Sequence, residues 1–410
     1  MSDNNTQVRT VLVGMTGRLD STVSAYLLKK QGHRVLGISV MWTEGDLEKD
    51  LFSPWDLPDI NGVKDICEHL DIPFYGVHGH DLFQANVAER LISARLSGEV
   101  FCFQSHMHMA LIDVLIDKAE KLNADGIATG HYAKTTRNQT TGQYSLSMAS
   151  DSKNDQSFML AQLNQRQMEK LSFPLAEVRL EQVKKIEALF NFNLFPPKKR
   201  PLQLNSEKLV SYIEQNSADI FYKEGLVLNF REGHTLGDHE GVHHYRLGQN
   251  KVVLKGGIPI DSNLKIISID AYKGNIFVDQ PSELSVDTVV LTELKIDAKW
   301  DVSKPMVVFV QAGAESERCP AMMLLKNNKL AVLTYKDAFK DMIPLGEQLV
   351  IYERAGARAK VVASARVLKS GLMTDKGIEV IPKSLDDDDD DEKDEKKKNE
   401  SNIQRNDYGF

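Results

Sequence analysis

Cysteine is scarce in this sequence: Cys67, Cys102 and Cys319 are the three in 410 residues. A small, odd number excludes a disulfide framework and points to a reducing compartment. No apolar run approaches the roughly 20 residues that a bilayer span needs. The opening MSDNNTQVRTVLVG has neither a secretory apolar segment nor an Arg-rich transit pattern, so a cytoplasmic chain with no membrane partner is expected. HExxH, paired CxxC, the Walker Gly-Lys-Ser/Thr and GxGxxG are all missing. His106-Met107-His108 sets its histidines two apart, where one helix face would hold zinc at i, i+4. Asp238-His239-Glu240 with His243-His244 reads as a glycine-flanked turn. No metal-ligand set is predicted.

Charge of one sign is concentrated rather than spread. The formal net charge is −8, but ten acidic and four basic residues between Asp386 and Glu400 carry −6 of it. The rest of the chain, at −2, is nearly neutral, so the total does not exclude a nucleic-acid partner. The acidic stretch itself cannot bury enough apolar surface to order.

What is present begins with Val8 to Gly14, a β-branched run that predicts a buried strand, followed by a turn at Thr16-Gly17-Arg18. Val23, Leu27 and Leu28 fall at helical spacing from Asp20 to Gln31, with Gly32 as the stop. Val35 to Met41 reads as a strand, Ile60 to Leu70 as a helix and Ile72 to Val77 as a strand. A long helical region from Leu82 to Leu122 precedes the strand Gly126 to Thr129. This alternation predicts an α/β fold with a parallel sheet, whose ligands sit beyond the carboxyl ends of the strands. Ser157 to Leu171, Leu180 to Phe190 and Glu207 to Gln215 read as further helices. After them the pattern changes to short alternating strands with glycine turns, the mark of a β-barrel-like unit.

The segment Gly14-Met15-Thr16-Gly17-Arg18-Leu19-Asp20-Ser21 lies between a buried strand and a helix. Turn N–H groups, the hydroxyls of Thr16 and Ser21 and the positive helix end can hold a pyrophosphate, and Asp20 can position a magnesium ion. An ordinary tight turn with Asp20 as N-cap fits the same residues.

GMTGRLDS resembles the SGGxDS loop of the PP-loop ATP pyrophosphatases. ATGHYAK, NDQSFML and GDHEGVHHYRLGQNK, in that order, are similar to motifs of the MnmA/TrmU tRNA-specific 2-thiouridylases, collinear from about Val8 to about Val367. The resemblance implies ATP-dependent 2-thiolation of the wobble uridine of tRNA, with ATP and Mg2+ as cofactors and tRNA and a sulfur-relay donor protein as partners. It implies that Gly14 to Ser21 and Gly130 bind the nucleotide. His131 and Asp155-Gln156-Ser157 are implied to face the tRNA, and Cys102 to be catalytic.

Several residues depart from that family. Arg18 replaces the second loop glycine. Matching Glu99 to the acidic position of the family's cysteine segment makes Cys102 the nucleophile, whereas counting back from Gly130 without gaps places Ser105 or His106 there. The second, persulfide-carrying cysteine falls near Leu202. The Arg-x-Arg pair of the β domain falls on Gly313-Ala314-Glu315. Lys198-Lys199-Arg200 and Arg354 to Lys360 remain as basic clusters. Two readings follow: a tRNA-uridine 2-sulfurtransferase, or a repurposed paralogue that binds RNA or protein on the same scaffold. The expected organisation is a PP-loop nucleotide domain over residues 1–200, a central tRNA-binding-type domain over 201–270, a β-barrel over 271–370 and a disordered acidic tail over 371–410.

Overall fold

The computed structural model describes residues 8–44, 51, 58–190, 206–217, 224–280, 286–297, 304–314, 316–327, 330–339, 343–374 and 377–380. Lys198 to Arg200, Leu202, Glu315 and the acidic run from Asp386 lie outside the described residues.

Strands β1 (Thr10–Gly14), β2 (Arg34–Met41), β3 (Phe74–His78), β4 (Gly126–Ala128) and β7 (Leu171–Ser172) form a parallel sheet in the order β3-β2-β1-β4-β7. Leu12, Val13, Ile38 and Ile127 are fully buried within it, as expected of a parallel sheet covered on both faces. Helix α1 (Leu19–Lys30) carries Asp20 in its first turn and Lys29 and Lys30 in its last, charges that suit its dipole. Helix α2 (Ile60–His69) is capped by Asp59, whose side chain accepts from the Asn61 N–H, and it buries Val63, Ile66 and Cys67. The Cys67 thiol is pushed up to about 12 by burial, which makes it an inert core residue.

The long helix expected from Leu82 to Leu122 is broken. Helix α3 (His80–Phe83) passes through a π turn (Gln84–Ala88) into α4 (Glu89–Leu96), and α5 (Phe103–Lys121) starts anew. The break is a Schellman stop: Gly98, at φ +72°, donates to Arg95 O, and Glu99 donates to Ala94 O at 2.8 Å. A side chain on Gly98 would run into Ile269 of the central domain, at 2.6 Å. Apolar periodicity continues across the stop, which hid it, and the break exposes Cys102 as the N-cap of α5.

The stretch read as one helix from Ser157 is two: α6 (Ser157–Leu160) and α7 (Gln165–Lys170), the second opened by a capping box between Asn164 and Gln167. A hairpin of β5 (Ala133–Arg137) and β6 (Tyr144–Met148) precedes them, and α8 (Leu180–Phe190) and α9 (Ser206–Asn216) follow.

The central sheet joins β8 (Gly225–Asn229), β9 (Thr235–His239), β12 (Lys265–Asp270) and β13 (Asn275–Asp279), with a small hairpin of β10 (Val253–Leu254) and β11 (Ile258–Pro259). It runs past residue 270 because β13 pairs with both β12 and β8. Strands β14 (Val286–Ile296), β15 (Met306–Ala312), β16 (Cys319–Asn327), β17 (Leu330–Phe339), β18 (Gln348–Tyr352) and β19 (Val361–Thr374) then form a barrel, closed where β14 pairs with β19. A further strand, β20 (Gly377–Val380), pairs along β19, so residues 371–374 and 377–380 belong to the sheet and not to an acidic tail.

The barrel is fused to the parallel-sheet domain. Val350, Tyr352, Ala359 and Val361 share one apolar cluster with Leu12, Ile112, Ile127 and Met148. The Met148 N–H donates to Ala359 O at 2.8 Å across the same boundary. The barrel is thereby held at a fixed position relative to the nucleotide sheet.

Candidate active site

The strand order reverses between β1 and β4, so the crevice beyond their carboxyl ends is the natural ligand site of this topology. The Gly14–Ser21 turn and Gly130 meet there. Gly17 takes φ +72°, a conformation that favours glycine. Thr16 N–H donates to Ser21 Oγ at 3.3 Å, the two hydroxyls lie 3.2 Å apart, and Ser21 Oγ donates to Arg18 O. Arg18 caps α1 with φ −109° and ψ 162°, extended backbone that any residue adopts, so the loss of glycine at 18 costs no conformational strain. Met15 is fully packed in the core and donates through its N–H to Ile38 O.

Gly130 sits directly on the first turn of α1. A Cβ at this position would lie 2.6 Å from Ser21 N and 2.7 Å from the Asp20 carbonyl carbon. Tyr132, two residues on, donates its hydroxyl to Asp20 Oδ1 at 3.0 Å. Burial pushes the Asp20 carboxyl up, against the pull of Tyr132 and Arg18. The first intrahelical bond of α1 runs from Thr22 N–H to Arg18 O, which leaves the N–H groups of the preceding turn without helical acceptors. Those N–H groups, at the positive end of α1, fit a bound polyphosphate, while Gly130 lets the turn after β4 pack directly against them. Asp20 beside them offers the carboxylate oxygen that a divalent cation takes as ligand.

Cys102 is half-buried at the start of α5, and its Sγ lies 3.1 Å from Ser105 Oγ. Ser105 is buried on that contact, and His106 is turned to Cys102 O at 2.9 Å and stacked on Phe101. Ser105 and His106 therefore support Cys102. Burial pushes the Cys102 thiol up, the Ser105 hydroxyl opposes this, and Glu347 of the barrel adds to the rise. Glu347 is itself held at about 7 by burial.

Six residues into the same helix, His108 Nδ1 meets His131 Nε2 at 2.9 Å, and His131 Nδ1 meets Thr129 Oγ1 at 2.8 Å. At 1.5 Å rise per residue, Cys102 stands about 9 Å beyond that contact along the helix axis. Helices in such crossovers begin at the ligand end of the sheet, so this offset places the thiol toward the mouth. The barrel reaches the same segment: Arg366 bonds Glu99 at 3.1 Å and Val100 O at 3.2 Å.

His131 is an interior residue, its imidazole lowered to about 4 by burial. Unfolded, it titrates near 6.5, so the unfolded chain takes up the proton first. Its contribution to stability is full above pH 6.5 and is lost as pH falls toward 4. Denaturant unfolding at pH 7 and pH 5 should show a loss of about 2 kcal/mol in the native chain that His131→Gln does not share. Equal losses in both chains would refute this.

The Asp155-Gln156-Ser157 segment faces the barrel. Asp155 accepts from Ser157 Oγ at 2.7 Å, from Ala149 N–H and from Arg318 at 3.0 Å, and Arg318 stacks over the Tyr352 ring. Burial pushes the Asp155 carboxyl up against these partners. Gln156 accepts from Tyr132 N–H, and Ser157 Oγ lies 3.2 Å from Tyr352 OH. The resemblance implies that this segment faces the tRNA; in the fold its polar atoms bond across the domain junction beside Tyr132 and hence Asp20. Arg318 was missed because its partner lies 163 residues away.

His239 is the buried last residue of β9, bonded to Gly274 O and Gly241 N–H, rather than part of a turn. Arg358, in the Arg354 to Lys360 cluster, pairs with Glu177 at 2.6 Å. Among the described residues no helix is long and apolar enough to cross a membrane.

A parallel sheet with a strand–turn–helix at its reversal point, packed against a closed β-barrel, makes an α/β domain with a C-terminal accessory barrel. Residues 9–201 match the family model described as tRNA methyl transferase HUP domain. The tRNA-specific 2-thiouridylase MnmA of Clostridioides difficile (strain 630) is 24% identical over 348 residues, 84% of this chain and 94% of that protein. The MnmA proteins of Desulfitobacterium hafniense (strain Y51) and Rippkaea orientalis (strain PCC 8801 / RF-1) are 29% and 28% identical, covering 74% and 84% of this chain and 82% and 96% of their own lengths. Over most of its length the chain is thus similar to the MnmA/TrmU tRNA-specific 2-thiouridylases.

Proposed function

We propose that this protein is a tRNA-uridine 2-sulfurtransferase that uses ATP and Mg2+ to thiolate the wobble uridine of tRNA. What carries the reading is the likeness over most of the chain to tRNA-specific 2-thiouridylases, with the Gly14–Ser21 turn and the Cys102 N-cap both on helices that begin at the carboxyl end of the parallel sheet. ATP, when bound, supplies the adenylyl group that turns the uracil C2 oxygen into a leaving group. The N–H groups of the α1 first turn, with Thr16 and Ser21, would hold the phosphates, Gly130 packs against that turn and would border the nucleotide, and Asp20, oriented by Tyr132, would ligate a magnesium ion.

Cys102 carries the sulfur. Cys67 is sealed in the core, and Cys319 starts barrel strand β16. In the proposed step a relay donor leaves a persulfide on Cys102, whose terminal sulfur bonds C2 as the C2–O bond to AMP breaks. The resulting disulfide between Cys102 and the base is cleaved by an external dithiol, which ends oxidised and returns the Cys102 thiol and the thiolated base. The Arg318–Asp155 and Arg366–Glu99 contacts keep the barrel against the tRNA-facing mouth.

The test is reconstitution of the full chain with ATP, Mg2+, unmodified tRNA, a cysteine desulfurase with cysteine, and a dithiol. Nucleoside mass spectrometry should show 2-thiouridine, with AMP formed in equal amount and no product without ATP. Absence of 2-thiouridine while tRNA and ATP both bind would overturn the reading and leave a binding module built on the family scaffold.

A further inference from the structure

The His243-His244 pair, which the sequence reads as part of a glycine-flanked turn, acquires a third donor in the fold. Val242–His244 forms a single 3-10 turn after β9, and Glu214 reaches it from the last part of α9. Glu214 Oε1 lies 3.3 Å from His243 Nε2 and 3.7 Å from His244 Nε2. One ligand atom from each of the three residues lies within 4.8 Å of the others. Neighbouring ligands about 2.0–2.1 Å from a tetrahedral zinc ion are about 3.4 Å apart, so this set needs little movement to close on one.

We propose that Glu214, His243 and His244 form a zinc site that clips α9 to the central domain. Two imidazoles and one carboxylate are a donor set that zinc accepts, with a fourth position left to solvent. Burial fits that division: His243 is buried, while Glu214 and His244, at 44% and 30% side-chain exposure, leave an entry path. The turn is already fixed from the other side, since Arg95 donates to Tyr245 O at 2.7 Å. Helix α9 is anchored through Leu209, Tyr212 and Ile213 in the same apolar cluster as Phe83 and Leu91 of the nucleotide domain. A zinc ion there would join that cluster to the central sheet, independently of the thiolation chemistry.

The probe is Co2+ added to the full-length, tag-free, metal-stripped chain. One ion per chain is expected, with a visible spectrum of a nitrogen and oxygen set, no thiolate charge-transfer band, and displacement by Zn2+. Glu214→Gln and the half-exposed His244→Ala should each weaken Co2+ binding by at least about tenfold. Zn2+ should raise the unfolding temperature of the native chain and leave that of His244→Ala unchanged. A thiolate band, or binding equal in the native chain and both variants, would place the metal elsewhere and overturn the site. No Co2+ binding would leave an ion pair only and overturn it equally.

Discussion

Cys102→Ser is expected to abolish 2-thiouridine formation, by more than about a thousandfold, while leaving ATP and tRNA binding intact. A serine hydroxyl cannot carry sulfane sulfur, and loss of a reacting nucleophile has effects of this size. The fold should tolerate the change, because Cys102 is a half-buried N-cap and serine is favoured at that position. Two accompanying results distinguish a sulfur carrier from a structural residue. Since burial pushes the thiol up, the native rate should climb as pH rises through the alkaline range, when more of Cys102 ionises. Without added dithiol the reaction should stop at one equivalent per chain of tRNA held to Cys102 by a disulfide, released as 2-thiouridine only on adding reductant, because the other two cysteines are in the core and in the barrel. The readout is product per enzyme by nucleoside mass spectrometry with and without reductant. Undiminished thiolation by Cys102→Ser would remove the proposed role.

What the sequence made legible was local, and what it hid was assembled over distance. The β-branched run before Gly14 and the end charges of α1 follow from side-chain stiffness and the helix dipole, so strand, turn and helix could be placed from residues alone, although the N-cap is Arg18 and Asp20 lies inside the first turn. The stop at Gly98 was marked by its glycine, yet apolar residues continue on both sides and periodicity read straight through. His108 was weighed as half of a metal pair, but its actual partner, His131, comes from the end of β4. Asp155 looked like a surface contact until the barrel delivered Arg318 and Tyr352 to it. Barrel closure depends on β14 meeting β19, a pairing between segments some seventy residues apart that no alternation pattern encodes. Tyr132 lay within the ATGHYAK motif, and a glycine-histidine-tyrosine run just beyond a buried strand was signal enough to ask what it touches.

Gly130→Ala is expected to disable the nucleotide site while sparing the rest of the fold. The added methyl would meet Ser21 N at 2.6 Å, the Asp20 carbonyl carbon at 2.7 Å and Asp20 O at 2.9 Å. All three are backbone atoms of the first turn of α1, so no side-chain rotation relieves the clash. Either α1 or the turn after β4 must move, and both line the crevice. Overpacking of this kind costs about 1–3 kcal/mol of stability. The functional loss should be larger, since a shift of about 1 Å in a positioned group costs on the order of a hundredfold in rate. The Tyr132–Asp20 bond spans the same two segments and would be lengthened with it. Gly76→Ala supplies the comparison: on β3 its methyl would meet only the flexible end of Met41, at 3.6 Å, and should leave affinity and rate unchanged. ATP affinity by calorimetry and thiolation rate should fall together in Gly130→Ala with its circular dichroism preserved. Native-like ATP affinity and rate in that variant would show that the crevice between β1 and β4 is not where the nucleotide binds.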